Sequence, residues 1–163
     1  MDKKQLTKLV SYFTMGDGGV YPQGTKGKHT FIMNMREVNL DYIQWVSDTL
    51  SKITSVQYKV SPDYNTDGYN RQPLVRLWTK AHPFFTTMRD RIYTDKYKGI
   101  DPHALKLLDG EALAILYMCD GCLYEDKPNP KKGLVNSSYN ISLNMKRLSY
   151  GDQMLLKKAL KDR

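Results

Sequence analysis

Val10 to Tyr21 reads VSYFTMGDGGVY, and Leu113 to Tyr124 reads LAILYMCDGCLY. Laid one upon the other, Ser11 falls on Ala114, Met15 on Met118, Asp17 on Asp120, Gly18 on Gly121 and Tyr21 on Tyr124, at a constant offset of 120 − 17 = 103. Further along, Phe31, Met33, Asn34 and Met35 fall on Ile141, Leu143, Asn144 and Met145 at an offset of 110, so the second copy carries 110 − 103 = 7 extra residues in between. Self-similarity of this kind decides an architecture before any local pattern does. The chain is two versions of one unit.

Each copy opens with an apolar segment of helical length. Gln5 to Gly16 follows a capping-box-like start at Asp2 and Gln5, and Glu111 to Cys119 follows an Asp109-Gly110 break. Both helices are expected to stop at Asp-Gly. A hairpin signature follows, whose second strand alternates: Phe31, Met33 and Met35 share one face in Thr30–Met35, and Ile141, Leu143 and Met145 share one in Asn140–Met145. That apolar face is expected to pack on helices, leaving Thr30, Ile32, Asn34 and Asn140, Ser142, Asn144 on a face free for a ligand. Asn39 and Ser149 stand where helix N-caps belong, Ser149 with Asp152 three residues on, ahead of amphipathic stretches over Leu40–Lys52 and Tyr150–Lys161. Only the first copy continues, with strands expected at Val56–Val60 and Leu74–Thr79 and a helix at Pro83–Arg91. Tyr93–Gly99 connects the copies, and Asp101-Pro102 opens a short helix. The expected division is 1–92 for the first repeat, 93–109 for the linker and short helix, and 110–163 for a second, shorter repeat.

The chain has 163 residues, enough for a core that needs no disulfides. Its 25 Lys and Arg exceed its 17 Asp and Glu, giving a formal charge of +8 and a pI near 9.4. That balance favours a polyanionic partner, either nucleic acid or an anionic membrane. No apolar run approaches the roughly 20 residues of a spanning helix, and MDKKQLTKLV lacks the apolar stretch of a signal peptide. The expectation is therefore a soluble, intracellular protein that does not engage a membrane.

A helix of small and apolar residues ending in Asp-Gly, present twice about a hundred residues apart, resembles the motif pair of the LAGLIDADG homing endonucleases. LAILYMCDG is similar to the branch that typically reads LAIWYMDDG. Tyr93, Lys98, Ile100 and Pro102 are similar to that family's linker, and Thr79–Tyr93 to the helix after its fourth strand. The resemblance covers nearly the whole chain. It implies an α+β, pseudo-twofold fold of two αββα-type repeats, here with the second truncated, whose antiparallel sheets form a DNA-binding saddle. It also implies that the motif helices cross at small side chains, for which Ser11, Gly16, Ala114 and Cys119 are the candidates. The usual glycine at the third motif position is Tyr12 in one helix and Ile115 in the other, and the sixth position is methionine in both.

The same resemblance implies an activity: a sequence-specific, metal-dependent DNA endonuclease of the kind that acts in intron homing. Phosphodiester hydrolysis needs an activated water, charge neutralisation on the phosphoryl group and a stabilised leaving alkoxide, which paired divalent ions supply. Hard Mg²⁺ takes oxygen ligands, and two adjacent carboxylates repel unless a cation lies between them. The resemblance assigns Asp17 and Asp120 as catalytic metal ligands, with the backbone carbonyls of Gly16 and Cys119 as additional ligands to two or three Mg²⁺ ions. Lys98 matches a linker lysine placed near the active site, where an ammonium stabilises developing charge or orders the attacking water. Double-stranded DNA is the implied partner, read in the major groove. Thr30, Asn34, Arg76, Asn140, Ser142 and Asn144 are candidates for base contact, and Lys26, Lys28, Lys127, Lys131 and Lys132 for phosphate contact. A single chain carries both motifs, so a monomer is expected, although the short second repeat leaves room for a partner chain.

Other readings explain less. An isolated Asp-Gly after a helix is usually a turn, but here it occurs twice in matching surroundings. Cys119 and Cys122 have zinc-like spacing but no second pair, and His29, His82 and His103 are scattered. Gly27-Lys28 lacks the glycine and hydroxyl spacing of a phosphate-binding loop. An RNA-splicing maturase or DNA-binding regulator on the same scaffold would not need paired acids.

Overall fold

The computed structural model describes residues 1–24, 27–61, 73–127 and 137–162. The first copy begins with helix α1, Lys3–Met15, which Asp2 caps by accepting the Gln5 N–H at 2.7 Å. Strands β1 (Gly18–Gln23) and β2 (Lys28–Arg36) form the hairpin, and helix α2 (Leu40–Leu50) follows. Strands β3 (Val56–Ser61) and β4 (Leu74–Thr79) then complete a four-stranded antiparallel sheet in the order β1-β2-β4-β3. Helix α3, Pro83–Ile92, closes the unit.

The register explains the alternation. Met33 lies opposite Leu77 and Met35 opposite Val75, so the apolar sets of β2 and β4 fall on one face, where all four side chains are buried. Phe31 and Phe85 of α3 pack with ring centroids 6.2 Å apart on that face. The other face keeps Asn34 opposite Arg76, and Arg76 opposite Lys59. α1 contributes eight consecutive buried residues, Lys8 to Met15, to the core beneath the sheet.

The connector forms a small hairpin, β5 (Tyr93–Thr94) and β6 (Tyr97–Lys98), before the short helix α4, Pro102–Leu105. Asp101 caps α4 as its sequence foretells, accepting from the His103 N–H at 2.9 Å, and it does more. Fully buried, it also receives the Ser11 hydroxyl at 2.8 Å and pairs with Arg91 at 2.6 Å, tying connector, α1 and α3 together.

The second copy comprises α5 (Gly110–Asp120), the hairpin β7 (Gly121–Asp126) and β8 (Ser138–Leu143), and α6 (Tyr150–Lys161). Asp109 caps α5 through the Ala112 N–H, and Ser149 and Asp152 exchange hydrogen bonds at the start of α6. Gly121 lies opposite Leu143 in β7–β8 as Gly18 lies opposite Met33 in β1–β2, so the two hairpins share register. No helix among the described residues is long and apolar enough to cross a membrane.

Three local expectations are corrected. Asn39 occupies the N-cap position of α2 but makes no side-chain capping bond, because a 3-10 turn over Glu37–Asn39 already leads the chain into the helix. Ser11 and Ala114 do not serve the helix crossing: Ser11 turns to Asp101, and Ala114 is exposed. The apolar face of β8 is not packed away; Ile141 is 70% exposed, and Leu143 and Met145 are half-buried.

Candidate active site

α1 and α5 lie against each other and end at the same place. Gly16 and Cys119 meet there so closely that a Cβ on Gly16 would stand 2.5 Å from the Cys119 sulfur, which makes the absence of a side chain at position 16 a condition of the contact. The backbone N–H of Asp17 donates to that sulfur, and the Tyr42 hydroxyl lies 3.7 Å from it. Burial pushes both the Cys119 thiol and the Tyr42 phenol above their ordinary ranges, so each stays protonated.

This contact fixes the residues that follow. Asp17 sits in the turn between α1 and β1, and Asp120 is the last residue of α5; both are half-buried. Desolvation raises the pKa of each carboxyl above the usual carboxylate range, and at Asp17 the negative charge of Asp120 adds to the effect. Arg147 and Lys98 oppose the shift at both acids. Two carboxylates thus share one partly dry, electrostatically coupled space, and oxygen donors of that kind suit a hard divalent cation. Among the described residues no cluster of three or more His, Cys, Asp or Glu side chains gathers anywhere, so further ligands to such an ion would come from backbone oxygens or water.

Lys98 reaches in from β6. Its ammonium donates to the carbonyls of Gly16 at 2.8 Å and Gly18 at 2.7 Å. Desolvation, with the Arg147 charge second, lowers its pKa to about 8 against the attraction of Asp17, Asp120 and Cys119. Arg147 was not among the residues singled out from the sequence. It lies in the turn between β8 and α6, exposed, and lines a cavity of about 330 Å³ together with Thr94, Lys98 and Ser149. Its partner at an offset of 110 is Glu37, so the repeat gives no hint of a cation there; only folding brings it beside the acids.

Of the candidate DNA-contacting residues, the described ones lie on or directly beside β2, β4, β7 and β8. Lys28, Asn34 and Arg76 are exposed on the first sheet, and Arg76 shares a cavity of about 400 Å³ with Gln23, Lys59, Ser61 and Trp78, four residues the sequence reading did not name. Thr30 also borders it, but is only 7% exposed, and its hydroxyl is engaged by the Thr79 carbonyl. Ser142, Asn144 and Lys127 are exposed in the second copy, and Asn140 is half-buried. The Asn144 N–H donates to the Asp120 carbonyl at 2.7 Å, joining the end of β8 to the end of α5. Lys26, Lys131 and Lys132 lie outside the described residues.

A search of curated proteins finds no match. Among solved structures, "The homing endonuclease I-WcaI bound to its DNA recognition sequence" superposes with a TM-score of 0.71 at 16% sequence identity, over 99% of this chain and 68% of that one. At that identity the likeness establishes the mixed α/β fold with antiparallel sheets. The sequence model of the LAGLIDADG DNA endonuclease family matches residues 13–163, from the core of α1 through both Asp-Gly turns to the last residue. This chain belongs to the LAGLIDADG DNA endonuclease family.

Proposed function

We propose that the protein is a divalent-metal-dependent endonuclease that recognises a specific duplex DNA site and cuts both strands with a stagger. One observation carries this reading: Gly16 and Cys119 meet where α1 and α5 pack together, so the acids that follow them directly, Asp17 and Asp120, stand at matching ends of two touching helices. Two carboxylates held that near repel each other, and a cation between them relieves the repulsion.

Asp17 and Asp120 would hold Mg²⁺, each acid serving the cut in one strand, with a backbone carbonyl beside each as a further oxygen ligand. Bound there, the ions supply water activation, charge neutralisation and leaving-group stabilisation. Lys98 keeps an ammonium at the same place and orders water or developing charge through its remaining N–H. With a pKa near 8 it is mostly protonated at neutral pH yet able to exchange its proton there. Arg147 supplies a second cation for the phosphates on either side of the cut.

Lys28, Lys127, Lys26, Lys131 and Lys132 take the phosphate contacts, and Asn34, Arg76, Asn140, Ser142 and Asn144 read base edges in the major groove. Lys59, on the strand next to Arg76, joins them. Thr30, with its hydroxyl held by Thr79, acts as a support for its strand neighbours. In this reading the functional halves are 1–92 and 110–163, joined by 93–109 and working as one chain, because both acids come from the same polypeptide.

The test is to incubate the protein with a randomised duplex library, with and without Mg²⁺, and sequence the ends. The expected result is a single enriched site cut on both strands only when the metal is present. Metal-independent binding of a preferred site with no cleavage would replace this reading with that of a regulator.

A further inference from the structure

Asp17 and Asp120 are related by the repeat, but the carbonyls beside them are not in equivalent surroundings. Gly16 and Cys119 correspond at the offset of 103, and in a symmetric site each would offer its backbone oxygen to a cation. The Gly16 oxygen already has one. Lys98 holds it at 2.8 Å and the Gly18 oxygen at 2.7 Å, two contacts that fix the ammonium against the C-terminal end of α1. The lysine is well anchored: its strand pairs Lys98 with Tyr93, and the following Gly99 N–H donates to the Ile92 carbonyl at 2.7 Å. It belongs to the connector that runs from α3 to α4, and among the described residues no ammonium is hydrogen-bonded to the Cys119 carbonyl.

A divalent ion binding the Gly16 oxygen at about 2.0–2.1 Å, while the ammonium keeps its 2.8 Å contact, would put two cations within about 5 Å of each other in a partly desolvated space, where their repulsion is strong. Either the lysine leaves two hydrogen bonds to carbonyls, or the metal does without that ligand.

We propose that the Lys98 ammonium is a built-in cation on the Gly16 carbonyl, so that a divalent ion held by the two aspartates takes its backbone ligand from Cys119 and not from Gly16. The two halves then bind metal unequally, with the stronger site on the Asp120 side. This rests on the metal-dependent reading above and refines it, replacing the symmetrical use of Gly16 and Cys119.

Removing any nearby positive charge draws divalent ions in, so the test must separate occupation of the oxygen from charge alone. Arg147 makes that possible. It acts more strongly than Lys98 on both acids through space, yet it is hydrogen-bonded to neither glycine carbonyl among the described residues. A pure charge effect therefore predicts at least as large a gain from Arg147→Gln as from Lys98→Met. Occupation of the oxygen predicts the reverse, because a charged hydrogen bond also has to be given up when the metal binds.

The measurement is Mn²⁺ titration of the full chain, following free Mn²⁺ by electron paramagnetic resonance, for wild type, Lys98→Met, Lys98→Gln, Arg147→Gln, Asp17→Asn and Asp120→Asn. Circular dichroism checks each variant, and Lys98→Gln takes the place of Lys98→Met if the latter misfolds. The expected result is that loss of Lys98 tightens Mn²⁺ binding about tenfold and by more than loss of Arg147, while Asp120→Asn weakens binding more than Asp17→Asn. No gain from removing Lys98, or a gain no larger than that of Arg147→Gln, overturns the proposal. Binding indifferent to both aspartate substitutions would instead overturn the metal-dependent reading on which it stands.

Discussion

Phe31 and Ile141 occupy matching places in the two copies, and each faces an apolar partner across its hairpin, Val20 in one case and Leu123 in the other. Phe31 and Val20 are fully buried; Ile141 is 70% and Leu123 55% exposed. The motif helices differ in the same way. Leu113 and Met118 are 39% and 48% exposed where their counterparts Val10 and Met15 are 0% and 7%. The pattern of apolar residues is the same in both halves, and what differs is the material laid over it. In the first copy α3 covers the sheet and β4 pairs the outer edge of β2, whereas among the described residues nothing equivalent lies over β8. A binary pattern therefore fixes which face a strand presents, while burial depends on elements further along the chain.

That contrast can be broken or sharpened by substitution. The largest effect belongs to the acid that each half places after its motif helix: Asp17→Asn or Asp120→Asn should lower double-strand cutting by about 10²–10³-fold or more, read as linear product from a plasmid carrying the selected site. Cutting undiminished in both variants would remove the assignment of either acid to the reaction. Next comes packing. Phe31→Ala should cost about 3–5 kcal/mol in a denaturant titration, whereas Ile141→Ala should stay within about 0.5 kcal/mol. Comparable losses would mean that the second sheet is covered in solution.

A smaller and opposite effect is expected from the acids in the metal-free protein. Their folded-state pKa values are raised, so folding weakens as the pH rises through the carboxylate range, and the full penalty remains at neutral pH. Asp17→Asn should therefore raise the melting temperature by about 2–4 °C at pH 7, after allowance for solvent screening of a half-exposed group. The gain should vanish in acid, where the carboxyl is protonated folded or unfolded. A gain that persists in acid would point to packing instead of charge. The smallest effect is spread over the loops: Lys127→Gln should weaken DNA binding uniformly across sequences and flatten the salt dependence by roughly one unit of slope. An unchanged slope would take Lys127 out of the interface.

Most of the frame was legible because it is local. The caps at Asp2, Asp101 and Ser149 bond to N–H groups two or three residues away, and the strand faces follow from a period of two. The pairing of the two Asp-Gly turns was legible as well, since the repeat itself relates them. Contacts between distant segments were not. Arg147 reaches the acids only through the turn that carries it, and Asp101 shows as a cap but not as the buried anion holding Ser11 and Arg91. Asn39 fits a capping pattern that the preceding 3-10 turn makes redundant. For Lys8 the repeat does carry a signal, since its counterpart at the offset of 103 is Glu111, of opposite sign.

In the folded chain those two meet. The Lys8 ammonium, its side chain only 9% exposed, lies 2.8 Å from Glu111 and 2.7 Å from Asp109. Were two α1 helices from separate molecules to associate in the same manner, two ammonium groups would face one another with no anion to separate them, and two α5 helices would oppose carboxylates. The opposite signs at positions 8 and 111 thus favour the pairing of α1 with α5 over the pairing of either helix with its like.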